Sequence, residues 1–229
     1  MRNSICRDHF MRLSAAALGV SAEGGAPDTA AASQYELMLY KLAEDKRRLK
    51  DIQSIERKAD VKAQLLPEYL PWIDGTLAND SGRQDDVLMT VFVWAIDIGE
   101  FDLALRIGNY AILHGLTMPD QYKRDVPCVL AEEIADYALK QDDSGLVSQQ
   151  PHIAQALGAT ANCDMPDEVR AKLLKANGYA LRAAGDLVQA REYLVRALQL
   201  HEKVGVKKDI ERLATLIKNS PPEETPEGG

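Results

Sequence analysis

The chain has 229 residues, 46% hydrophobic and 27% charged, which is enough apolar material for a packed core and excludes global disorder. A net charge of −8 excludes a protein that coats nucleic acid with its whole surface. The charge is uneven: residues 1–62 hold eleven Lys/Arg against nine Asp/Glu, and residues 63–229 hold sixteen against twenty-six. A polyanion is therefore expected to meet the N-terminal third and to be repelled by much of the rest.

In chain order, residues 1–32 read as a flexible arm and linker. The arm carries Arg2, Arg7 and Arg12, then the small apolar run Leu13–Val20. That run is too short and too rich in alanine for a secretory signal, and no stretch of the chain reaches membrane-spanning length. The three cysteines, Cys6, Cys128 and Cys163, lie far apart without CxxC spacing. They fit a reducing cytoplasm and exclude a zinc ribbon built from cysteine alone. Residues 19–33 are small, polar and interrupted by glycine and proline, as a linker is.

Residues 33–66 predict one long amphipathic helix. Tyr35, Met38, Leu39, Leu42, Leu49, Ile52, Ile55 and Ala59 recur at spacings of three, four and seven, and no Gly or Pro intervenes before Pro67. The opposite face carries Lys41, Lys46, Arg47, Arg48, Lys50, Arg57, Lys58 and Lys62, eight bases against five acids over residues 41–62. These eight are the candidate DNA-binding residues. A merely solvated, salt-bridged face fits the same residues, since Glu44 lies three and four positions from Arg47 and Arg48.

Residues 67–165 predict a helical core. Pro67 and Pro71 fix the backbone around Leu65–Trp72, and a loop follows at 79–82. Asp85 or Asp86 caps a helix that is apolar on nearly every side through Ile96, which marks it as the buried centre of the fold. Asp97 is expected on its exposed end. Gly99 separates it from a partner helix that ends near His114-Gly115. Further helices are expected over 127–140 and, more briefly, 149–158. Residues 166–218 predict a hairpin over 167–184 and 187–203 with a last helix at 206–218. Its small residues Gly178, Gly185, Ala190 and Ala197 are spaced as in a tetratricopeptide hairpin, and Gly99, Ala104 and Ala111 repeat the offsets of the last three. The functional alternative drawn from that spacing is a helical-repeat adaptor that binds a peptide, and a generic tight helical hairpin explains the same spacing, because two units do not make a solenoid. Residues 219–229 predict a disordered acidic tail. No segment alternates with period two, so the fold class is all-α.

Several blocks, in order and spacing, resemble the small terminase subunit (the M-type protein) of peduoviruses, tailed phages with cohesive-end genomes. They are Met11–Ala16, Tyr35–Ala43, Leu65–Trp72, Gln84–Val91, His114–Pro119, Asp164–Leu173 and Val206–Leu213. The resemblance implies a subunit that recognises double-stranded viral DNA at the packaging (cos) site and delivers it to the large ATPase/nuclease subunit in the bacterial host cytoplasm. It also implies a homo-oligomeric ring, expected at about eight to eleven subunits, with no membrane partner. Relatives of this kind carry a basic tail, whereas this chain ends in an acidic one.

Such proteins are often labelled the endonuclease component of terminase, which makes the chain's own carboxylates worth weighing. A metal-dependent nuclease needs several carboxylates converging on magnesium. Adjacent pairs occur at Asp85/Asp86, Glu132/Glu133 and Asp142/Asp143, but neighbouring helical residues point about 100° apart and do not chelate together. Asp85 and Asp86 are the catalytic alternative, and helix capping is the simpler reading of both. The histidines His9, His114, His152 and His201 are isolated, and no phosphate-binding Gly-Lys-Ser/Thr loop is present. No metal or cofactor is expected, and the chain is read as a non-catalytic subunit of a larger enzyme.

Overall fold

The computed structural model describes residues 5–20 and 29–219. Among them are eleven α-helices, a short 3-10 turn at Leu66–Glu68 and no strand, so the fold is all-α. The helices are α1 (Ile5–Val20), α2 (Thr29–Lys50), α3 (Ile55–Leu65), α4 (Leu70–Asn79), α5 (Asp86–Ile98) and α6 (Phe101–His114). They continue as α7 (Val126–Ala138), α8 (Asp143–Ala159), α9 (Asp167–Ala183), α10 (Leu187–Leu200) and α11 (Lys207–Asn219). The chain divides into two compact units, Met1–Leu130 and Ala131–Gly229, with the boundary inside α7.

In the first unit α5 is the buried centre, as its composition requires. Val87, Leu88, Met89, Val91, Phe92 and Ala95 are wholly inaccessible, and Trp94 is only 4% exposed. Asp85 caps its start, and Gly99 ends it in the left-handed conformation (φ 77°) that glycine adopts without a steric penalty. Two expectations for this unit need correction. The single helix over 33–66 is two helices, because Asp51–Ser54 breaks it. Ser54 is extended (φ −71°, ψ 128°) and its side chain accepts from the Arg57 backbone N–H, so it stops one helix and caps the next. The break frees α3 to pack on α5, where Lys62 pairs with the exposed Asp97 near the end of that helix.

The flexible arm is the second correction. Residues 5–20 form α1, which packs along α4 and buries Met11, Ser14 and Ala15. Gly75 on α4 makes the close approach possible: a Cβ there would lie 2.8 Å from Arg12 Cα and 2.9 Å from Ala15 Cβ. Of the linker expected over 19–33, residues 21–28 lie outside the described residues, and 29–33 are instead the first turn of α2. Helix α4 is an addition to the sequence reading. Pro71 stands in its first turn, where the missing N–H has no intrahelical partner to lose.

In the second unit α8 is longer than the helix read over 149–158. Asp142 caps it, accepting from Gly145 N at 2.8 Å and from Ser144 Oγ at 2.8 Å, and these bonds hold its carboxyl below the usual range. Pro151 sits inside α8 and removes one backbone bond to Val147. Both residues are exposed, so water can reach the freed carbonyl. Helices α9 and α10 form the expected tight hairpin, closed at Gly185 (φ 92°). A Cβ on Gly178 would lie 2.6 Å from Leu194 Cδ2, and Ala190, Leu194 and Ala197 are fully buried. Val206 and Leu213, at the start of and within α11, complete that core. The acidic tail expected over 219–229 lies beyond the described residues except for Asn219, the last residue of α11.

Candidate nucleic-acid interface

The eight basic residues singled out in 41–62 separate into distinct environments. Lys41 is committed internally. Its Nζ lies 2.6 Å from Asp45 Oδ2 and 3.3 Å from Glu68 Oε2, and sits 4.6 Å above the centre of the Tyr69 ring. Tyr69 donates to the same Asp45 oxygen at 2.6 Å, and burial together with this bond raises its phenol pKa far above the ordinary value. Arg47 pairs with Glu44, one turn away on α2. Arg48 and Arg57 are exposed, Arg57 beside the 51–54 break.

The other four converge. Lys46 and Lys50 are one turn apart on α2, Lys58 and Lys62 one turn apart on α3, and all four line a single open hollow of about 230 Å³. On a continuous helix Lys46 and Lys62 would be separated by about 24 Å along the axis. The break at 51–54 is what brings them to one place. Leu49, Thr90, Val93 and Trp94 contribute further wall, and Pro119, Gln121 and Tyr122 complete it from the loop after α6. Lys62 is neutralised by Asp97, while Lys46, Lys50 and Lys58 have no ion-pair partner among the described residues. The three form a cluster of uncompensated positive charge in an otherwise acidic chain.

Thr90, Pro119 and Tyr122 had no signal in the sequence that tied them to this cluster. Trp94 reads only as core, and the core reading holds. Its ring meets Tyr69 edge-on with centroids 5.5 Å apart, and only a small part of it remains exposed.

The carboxylates are placed differently from one another. Asp85 is 7% exposed, with Oδ1 accepting from Val87 N at 2.8 Å and Leu88 N at 2.9 Å. Its Oδ2 accepts from Trp72 Nε1 at 2.8 Å. Both oxygens are therefore occupied in holding α5 to α4, and burial raises the carboxyl's pKa despite these bonds. Asp86 is exposed, and its backbone N–H donates to Tyr35 Oη. Glu132 and Asp136 meet Lys172 at 3.4 and 2.9 Å, and Asp143 meets Arg182 at 2.9 Å. Of the histidines, His114 pairs with Asp80 at 2.7 Å, His152 contacts Gln149 at 3.0 Å, and His201 follows the end of α10. No group of three or more His, Cys, Asp or Glu side chains is arranged to hold a metal among the described residues. No helix among them is long and apolar enough to cross a membrane.

Comparison with known proteins adds a sequence relationship to this geometry. The phage small terminase subunit family matches over residues 39–168, a span that contains all eight of the candidate basic residues and the α5–α6 core. The terminase, endonuclease subunit of Escherichia phage P2 is 46% identical over 213 residues, covering 93% of this chain and 85% of that one. The probable terminase, endonuclease subunit of Haemophilus phage HP1 is 30% identical over 195 residues, covering 79% and 69% respectively. No solved structure matches the chain. With a family match over more than half its length and a relative aligned nearly end to end, the chain belongs to the phage small terminase subunit family.

Proposed function

We propose that this small terminase subunit recognises double-stranded viral DNA at the packaging site and delivers it to the large ATPase/nuclease subunit, acting in the host cytoplasm. The observation that carries the DNA reading is the convergence of Lys46, Lys50, Lys58 and Lys62 from two helices, with Arg48 and Arg57 exposed on the same two helices. An acidic protein holds DNA where cations are concentrated, and phosphate contacts from such a cluster position a duplex without reading its sequence. Ring assembly from about eight to eleven copies would repeat the cluster around an axis and turn a weak local charge into a basic belt.

The word endonuclease in the relatives' names fits a subunit that completes a cleaving complex. Asp85, the buried member of the catalytic alternative, already has both oxygens engaged in capping and in the Trp72 bond, which favours a structural role for it. The exposed Asp86 stands beside it without further carboxylates gathered around the pair among the described residues.

Electrophoretic retardation of a cohesive-end duplex across a salt series tests the DNA assignment. Replacing Lys46, Arg48, Lys50 and Lys58 together by glutamine is expected to weaken binding to every duplex. The slope of log affinity against log salt should fall by about 0.9 for each phosphate that the variant no longer neutralises. A folded, assembled variant with the wild-type slope would place the DNA elsewhere, with Arg7 and Arg12 of α1 next to be tested.

A further inference from the structure

We infer that Ile55, at the tip of the turn between α2 and α3, is an apolar wedge that enters a base step of the bound duplex through the minor groove and kinks it. This role rests on the duplex reading proposed above and supplies what that reading lacks. Phosphate contacts position a duplex without carrying sequence information. A wedge adds discrimination, because base steps differ in how easily they unstack.

Ile55 is 87% exposed, the most exposed large apolar side chain among the described residues. A single apolar residue on a surface ordinarily means nothing, so its surroundings decide the matter. Three features of the turn suit a wedge. The first is charge. Arg47, Arg48 and Lys50 occupy the last turn of α2, and Arg57 and Lys58 stand at the start of α3. Residues 47–58 thus hold five bases against the two acids Asp51 and Glu56. Among the described residues Arg47 pairs with Glu44, while Arg48, Lys50, Arg57 and Lys58 have no ion-pair partner. The second feature is a tied backbone. On one side the Asp51 and Ile52 N–H groups donate to the Arg47 and Leu49 carbonyls at 3.3 Å. On the other, Ser54 accepts the Arg57 N–H on its hydroxyl at 3.2 Å and the Lys58 N–H on its carbonyl at 3.0 Å. The third is a second isoleucine, Ile52, partly exposed in the same turn. Bases on both sides of the tip can hold phosphates, and Asp51 and Glu56 repel a phosphate from the tip itself. An apolar side chain placed so meets the groove floor. Wedges of this kind, isoleucine included, bend a duplex by about 20–90°, most readily at TA and CA/TG steps.

The full chain is tested with a cohesive-end duplex carrying an energy-transfer pair at its two ends, and with 2-aminopurine placed in turn at each pyrimidine–purine step. The wild type is expected to bring the ends closer and to raise 2-aminopurine fluorescence at one step. Ile55→Ser alters an exposed side chain without changing charge, so thermal midpoint, native mass and the salt slope of binding should all stay as in the wild type. The bend and the fluorescence rise should disappear, and the preference for the cohesive-end duplex over a scrambled one of equal length should fall several-fold. Ile55→Leu keeps the apolar bulk and should retain most of the bend. A wild type that retards duplex without bending or unstacking it would overturn the wedge and leave duplex recognition standing. A bend that survives Ile55→Ser would do the same. A drop in native mass on Ile55→Ser would set the side chain between copies of this chain and overturn the assignment. A wild type that retards no duplex removes the duplex reading, and the wedge with it.

Discussion

Replacing Asp85 by asparagine separates a structural carboxylate from a chemical one. In the wild type Oδ1 accepts from the N–H groups of Val87 and Leu88 in the first turn of α5 and Oδ2 from the indole N–H of Trp72, all between 2.8 and 2.9 Å. Asparagine keeps one carbonyl oxygen, so the cap survives, but its amide NH2 then faces the indole N–H and two donors oppose each other. Leaving the buried Trp72 donor without an acceptor costs about 1–3 kcal/mol. Asp85→Ala removes the cap as well, which adds about 0.5–2 kcal/mol. The pH dependence has a definite sign. Burial raises the Asp85 pKa in the folded protein, so the folded state binds this proton more tightly than the unfolded chain. The stability from that difference is complete below the unfolded carboxyl value of about 3.9 and declines as pH rises through the folded value. An asparagine side chain does not titrate, so the stability gap between wild type and Asp85→Asn should be widest in acid and should narrow as pH increases. Urea unfolding at a series of pH values measures that gap. Cleavage of cohesive-end DNA, with the large subunit supplied, should stay within a few-fold of wild type. A gap that widens with pH would refute the burial reasoning, and a stable Asp85→Asn protein that abolishes cleavage would give the carboxylate a chemical role.

Trp94→Ala should cost about 3–5 kcal/mol, because only 4% of the residue is exposed, and an unchanged thermal midpoint would contradict that burial. Gly75→Ala forces a Cβ into the backbone of α1 at Arg12. It should lower stability by about 1–3 kcal/mol or release α1 to proteolysis, and an α1 that stays docked and protected at full stability would refute the close approach. Light scattering at micromolar concentration should report a mass many times the protomer's 25.2 kDa, and a monomer there would remove the basic belt from the DNA-binding proposal.

Most of the helical order was legible because its signals are local. A run apolar on every side is a buried helix, and Gly99, Gly115 and Gly185 take left-handed backbone where they punctuate it. What escaped was structure set by partners distant in sequence. Residues 5–20 look like an arm because their small apolar stretch is short, and only the bare Cα of Gly75, some sixty residues later, makes it a docking face. The helix expected over 149–158 starts earlier because Asp142 caps it, and Pro151 on its exposed face removes one bond without ending it.

The charge of the candidate site was legible and its geometry was not. Lysines at 46, 50, 58 and 62 keep helical spacing within each pair, so periodicity continues across residues 51–54 as if nothing happened. Ser54 is the residue that changes the outcome. Its hydroxyl competes with helix continuation by capping the Arg57 N–H at 3.2 Å, and the chain then folds α3 onto α5 through the Lys62–Asp97 pair. A stripe along a rod becomes a pocket rim. The cations differ in what they meet: Lys41 and Arg47 are held within α2 by Asp45 and Glu44, and the fold-back gives Lys62 its partner Asp97. Lys46, Lys50 and Lys58 are left without an ion-pair partner among the described residues, lining one hollow. Counting bases along the segment weights all eight equally; Glu44 and Asp45 stand one turn away on α2 and are visible in the spacing, whereas Glu68 on the 3-10 turn and Asp97 on α5 are partners that only the folded chain brings near.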